Sequence, residues 1–115
     1  MLHRGARAPS PEALMRSRYS AYALGLVDYV LTTADPTGPH GGASQRASVA
    51  AFCRDTRFEA LEVLDASESG DVGSVSFRAR LSRDGVDVSF GERSEFRLVE
   101  GRWLYRSGRP LEDAP

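Results

Sequence analysis

Val86 to Val99, VDVSFGERSEFRLV, is the stretch on which the fold turns. Read with a period of two residues, it puts Val86, Val88, Phe90, Glu92, Ser94, Phe96 and Leu98 on one face of a long strand. Asp87, Ser89, Gly91, Arg93, Glu95 and Arg97 take the other. One face is apolar and the other charged, and Glu92 breaks the pattern. A carboxylate in the middle of an apolar face must be paired, protonated or open to a cavity. On either side lie two-residue turn signals, Asp84-Gly85 and Glu100-Gly101. They predict hairpins to a strand over Val72–Arg83 and to another over Arg102–Arg106. The first turn sets Arg83 opposite Val86, Ala79 opposite Phe90, Phe77 opposite Glu92 and Val75 opposite Ser94. The second sets Trp103 opposite Leu98 and Tyr105 opposite Phe96. Both turns place Phe77, Trp103 and Tyr105 on the Glu92 face.

Further out, FEALEVLD from Phe58 to Asp65 reads as another strand, followed by a turn over Glu68 to Asp71. Three helices precede it. The first runs from Pro11 to about Leu24, with Ser10 as N-cap, Pro11 at the first helical position and Gly25 as the stop. It carries an apolar stripe of Leu14, Met15, Tyr19 and Tyr22, with Arg16 and Arg18 on its flanks. A short second helix covers about Val27 to Thr33. A third runs from a Ser44 cap to about Thr56, after the breaker-rich DPTGPHGG. A one-sided antiparallel sheet must be covered, and only these helices supply the apolar material. The expected fold is therefore α+β, a cone of three N-terminal helices packed in the hollow of a bent four-stranded sheet, with Gly91 the expected bend or bulge. Residues 10–108 form the domain, between an irregular arm over 1–9 and a flexible tail over 109–115.

Composition narrows the function classes. The chain has 115 residues and a formal net charge of -1, so no basic field draws it to nucleic acid or an anionic membrane. All 15 basic residues are arginine, and Lys, Asn and Ile are absent, which reads as a GC-rich bacterial genome. Cys53 alone, with two histidines, gives neither a disulfide nor a zinc site, so no metal or cofactor is expected. No apolar run suits a signal peptide or a membrane span, and the cytoplasm is the expected compartment.

PEALMRSRYSAY at Pro11–Tyr22 resembles the YchJ family of small bacterial proteins. So do Val27-Asp28-Tyr29, LEVLD at Leu61–Asp65, ERSEF at Glu92–Phe96 and GRWLYRSG at Gly101–Gly108. The resemblance covers nearly the whole chain. It implies a nuclear transport factor 2-like, or cystatin-like, cone and no particular reaction. Two departures matter. The family's N-terminal SEC-C segment, similar to a zinc-binding knuckle, has none of its cysteines here. Relatives often carry His before the Glu of the ERS element, where this chain has Gly91, so a His–Glu acid/base pair is not available.

Glu92 has three readings. It is a structural ion pair with Arg16 or Arg18, costing roughly 3–5 kcal/mol to break if buried. It is a pocket carboxylate of raised pKa, acting as general base or ligand anchor. Or a bulge at Gly91 turns it outward. Tyr19, Tyr22, Phe77, Trp103 and Tyr105 are the candidate lining of a ligand pocket, or core residues with wet tips. Ser94 is a hydrogen-bond partner to Glu92 rather than a nucleophile, because no His accompanies it. His3 and His40 fall in loops, and Cys53 reads as a small buried hydrophobe. The outer face carries Arg78, Arg80, Arg93, Arg97 and Arg106 against Asp87 and Glu95, with Glu95 expected opposite Arg106. Such a solvated face fits a monomer or weak homodimer; it lacks the interleaved aromatics of an RNA surface. The expected function is non-catalytic binding of a small molecule or protein partner around Glu92. An isomerase, dehydratase or hydrolase with Glu92 as base is the alternative.

Overall fold

Residues 8–38 and 45–111 are described in a computed structural model of the chain. His3, His40 and Ser44 lie outside them. The order is α1 (Pro11–Leu24), α2 (Val27–Thr32), α3 (Arg46–Asp55), β1 (Arg57–Ser69), β2 (Val72–Arg83), β3 (Val86–Asp87), β4 (Phe90–Val99) and β5 (Arg102–Pro110). The sheet is antiparallel in the order β1-β2-β4-β5, with β3 pairing the end of β2.

The register follows from the two turns. Asp84 and Gly85 have φ of 52° and 78°, and Glu100 and Gly101 have 50° and 78°, so both central residues of each turn are left-handed, as a tight hairpin requires. Phe77 faces Glu92 and Val75 faces Ser94, while Trp103 faces Leu98 and Tyr105 faces Phe96. Val75, Phe77, Ala79 and Leu81 are all buried against the helices, with Leu14, Met15, Phe96 and Trp103 completing the core.

The structure alters four local expectations. The strand from Val86 is interrupted at Val88–Ser89 rather than bent at Gly91, which gives five strands instead of four. Ser89 Oγ accepts from the Leu81 N–H (2.9 Å) and donates to its carbonyl (3.3 Å), and Asp87 Oδ1 accepts from the Ser89 N–H (2.9 Å). Side chains thus stand in for ladder bonds there. β5 runs on to Pro110, and the Leu111 N–H donates to the Gly91 carbonyl (3.1 Å), so the chain beyond residue 109 starts as sheet rather than as loose tail. A bulge after Tyr105 moves the pairing by one, and Glu95 faces Ser107 instead of Arg106. Finally, α3 begins at Arg46 with Gln45 as its N-cap, and Gln45 makes no side-chain cap.

α1 has the expected bounds. Ser10 Oγ accepts from the Ala13 N–H at 3.1 Å, and Gly25 closes the helix at φ 72°. Its buried face differs from the expected stripe, because Ser17 and Arg18 are inside and the tyrosines only half-buried. α2 ends by joining the sheet: Tyr105 N–H donates to the Thr33 carbonyl (2.8 Å) and Asp35 N–H to the Tyr105 carbonyl (2.8 Å). No helix of the described chain is long and apolar enough to cross a membrane.

Candidate functional site: the hollow around Glu92

A cavity of about 500 Å³ lies between the helices and the inner face of the sheet. Of the residues singled out above, Arg18, Tyr19, Tyr22, Phe77, Glu92, Ser94 and Tyr105 line it. Trp103 does not; it packs with Phe96 and Leu98 in the adjoining core. Phe52 from α3, Phe58 from β1 and Phe90 from β4 supply much of the remaining wall. Tyr22 and Phe52 meet edge to face at 5.5 Å, as do Phe52 and Phe58 at 5.6 Å. Phe52 belongs to α3, and nothing in the spacing of that helix indicates that it lines the hollow.

Glu92 points into this space. Its Oε2 accepts from Ser94 Oγ at 2.5 Å and from the Tyr105 hydroxyl at 3.2 Å. Among the described residues no hydrogen bond falls on Oε1. Neither arginine forms the expected ion pair with it. Arg16 is exposed and pairs with Glu12 one turn back at 3.0 Å. Arg18 is buried, at 6% exposure, and its Nη1 donates to the Val30 carbonyl (2.8 Å) and to Thr33 Oγ1 (2.6 Å). Its guanidinium lies 4.7 Å from the centroid of the Tyr105 ring, a cation–π contact. Tyr105 therefore stands between a cation and an anion, touching Arg18 with its face and Glu92 with its hydroxyl.

The bulge in β5 produces this arrangement. Without it, the register set by Phe96 and Tyr105 would bring Ser107 opposite Ser94 and Arg109 opposite Glu92 on the inner face. With it, Gly108 faces Ser94, and Arg109 faces Arg93. A Cβ on Gly108 would lie 2.3 Å from Glu92 Oε2 and 2.7 Å from the Tyr105 hydroxyl. Any side chain at Gly108 would force the carboxylate or the Tyr105 hydroxyl to shift. The displaced Arg106 instead reaches Asp35 Oδ2 at 3.3 Å and Thr37 Oγ1 at 2.8 Å. Gly108 sits inside the GRWLYRSG motif, but the bulge that gives it this role has no local signature.

Electrostatically, burial is the largest influence on the groups that shift. It lowers the Arg18 pKa from its usual high value, with Tyr22, Tyr105, Tyr29 and Glu92 opposing, and a guanidinium remains charged at any working pH. Burial raises Tyr105, and the nearby Glu92 charge raises it further, which keeps its hydroxyl a proton donor. Tyr22 is raised chiefly by burial, with Arg18 opposing. Tyr19 is raised by burial and by Glu59, with the Ala60 backbone opposing. Burial also raises the Cys53 thiol, the behaviour of an inert cysteine. Ser94 is 1% exposed and its proton is committed to Glu92, so it is a support and not a nucleophile. Among the described residues no three His, Cys, Asp or Glu side chains gather as metal ligands. The chemistry on offer is a carboxylate oxygen, a fixed guanidinium and the hydroxyls of Tyr19, Tyr22 and Tyr105 on an otherwise apolar wall.

Comparison with known proteins places this architecture. A UPF0225 protein of Vibrio vulnificus strain CMCP6 is 40% identical over 108 residues, covering 92% of this chain and 63% of that protein. The chain thus spans less than two thirds of that relative's length. Among solved structures, a SEC-C motif containing protein from Rhodopseudomonas palustris superposes with TM-score 0.81 at 40% identity, over 96% of this chain and 86% of that one. A sec-c motif containing protein from Psychrobacter arcticus gives 0.74 at 21% identity, covering 98% of this chain and 70% of that one, a likeness of fold. The family model described as YchJ, middle NTF2-like domain, matches residues 10–108, and the chain belongs to that family.

Proposed function

We propose that this domain binds a small, largely apolar molecule in the hollow and anchors its polar end at Glu92. One observation carries the reading: the cavity of about 500 Å³ holds a carboxylate that is hydrogen-bonded on one oxygen only and has no direct cationic partner among the described residues. Its size suits a small-molecule ligand, and its mostly apolar wall with few converging polar groups has the usual make-up of such a site. A purely structural carboxylate would be expected to use both oxygens or to pair with Arg18.

Amide-detected NMR during titration with a panel of small aryl and alkyl compounds tests this. Shifts should cluster at Phe77, Glu92, Ser94 and Tyr105 in the parent protein. They should weaken in Gly108→Ala, whose methyl would push the Glu92 carboxylate from its position. Shifts confined to the outer face, or none, would overturn the reading.

The same free oxygen supports a second reading, a general base, because it lies in the cavity where a bound compound could hand it a proton. A base at Glu92 would exchange an acidic C–H of a bound compound with solvent deuterium, and Glu92→Gln would stop it. Binding without such exchange leaves the domain non-catalytic.

A further inference from the structure

We infer that the hollow is built for a neutral ligand whose polar end is an amide-like group, accepting a hydrogen bond from Arg18 and donating one to Glu92. This rests on the binding reading above and adds the ligand's chemistry. Arg18 and Glu92 line the same cavity and carry opposite charges. Tyr105 lies between them, with Arg18 4.7 Å from its ring centroid and its hydroxyl 3.2 Å from Glu92 Oε2. The wall is therefore a fixed dipole of zero net charge.

That dipole discriminates between ligand classes. A carboxylate ligand would be drawn to Arg18 and repelled by Glu92, and an ammonium the reverse. Either would still lose its hydration on entering while meeting a like charge across the same cavity. A neutral group escapes most of that cost and gains two charge-assisted hydrogen bonds. The free atoms are complementary to it. Two hydrogen bonds from Arg18 leave Nη1, a further one joins its guanidinium to the Tyr22 hydroxyl, and both bonds to Glu92 land on Oε2. With Arg18, Tyr22 and Glu92 all lining the cavity, the ligand's acceptor would join the Tyr22 hydroxyl at the guanidinium and its donor would take Oε1. Donor and acceptor are held apart by a tyrosine, which favours a group with its N–H and C=O on different atoms over a single hydroxyl. Phe52, Phe58, Phe77 and Phe90 offer flat apolar contact to the rest of the molecule.

The test is a matched series on one skeleton: 3-phenylpropanamide, 3-phenylpropanoate, 3-phenylpropylammonium and 3-phenylpropanol, titrated at neutral pH and read at the backbone amides of Ser94, Phe96 and Tyr105. The amide should bind at least tenfold tighter than the other three. In Glu92→Gln, which removes the negative end, the propanoate should gain at least tenfold relative to the amide. If the anion, cation or alcohol binds as tightly as the amide at these residues, the ligand assignment is overturned while the binding reading stands. If none of the four perturbs them, both fall. The parent series alone decides the matter should Glu92→Gln not fold.

Discussion

β2 and β4 run side by side, and their alternate residues face two different worlds. On the inner side Phe77, Glu92, Ser94 and Phe96 pack beneath the helices; on the outer side Arg78, Arg93, Glu95 and Arg97 stand in water. The outer face carries most of the charge and little of the consequence, because Arg97 and Glu95, about half exposed, meet at 3.3 Å where solvent screens them. The inner face carries one carboxylate, held by Ser94 and Tyr105, with the Arg18 guanidinium of α1 over the same tyrosine ring. Charge acquires a role here through enclosure and not through number.

Substitutions on the two faces should therefore differ by an order of magnitude. Phe96→Ala, at a side chain with no exposed area, should destabilise by about 3–5 kcal/mol in urea unfolding. A cost below about 1 kcal/mol would mean that the inner face is not the core. Tyr105→Phe should cost about 1 kcal/mol near neutral pH through the lost hydrogen bond to Glu92. It should also flatten the alkaline limb of the stability profile. Tyr19, Tyr22 and Tyr105 all have raised pKa values in the folded protein, so it keeps protons that the unfolded chain releases from about pH 10. That contribution is intact below about pH 10 and is lost as the pH rises through the folded-state values, and the variant has one such group fewer. Arg97→Ala on the outer face should change stability by no more than about 0.5 kcal/mol, and added salt should erase even that. A larger, salt-resistant loss would show that the outer face is organised too.

The inner face was legible because its determinants are local. Asp84-Gly85 and Glu100-Gly101 each demand a two-residue turn, and two turns fix which residues of β2, β4 and β5 look inward. The orientation of Glu92 into the hollow followed from that arithmetic. What escaped the sequence depends on distant parts of the chain. Arg18 stands on the flank of the α1 stripe by spacing alone, yet the Val30 carbonyl and Thr33 hydroxyl draw it inside and away from Glu92. The bulge in β5 is set where Tyr105 meets the end of α2, and it decides that Gly108, not Ser107, lies under the carboxylate. A strand pattern counted straight through Arg106 would put Arg109 beside Glu92 and make an ion pair of it.

One feature of the sheet bears on how the chain tolerates crowding by its own copies. β1 is an outermost strand of 13 residues, long enough to template the addition of another molecule's strand. Two irregularities, at Glu59 and Leu64, break its ladder into short pieces, and Glu59, Glu62, Asp65 and Glu68 line it with negative charge. At the opposite border the Ala34 rung already occupies the backbone of Tyr105. Neither border thus offers a long, level rail, and stacking into fibres is hindered from both ends without sacrificing a residue of the interior.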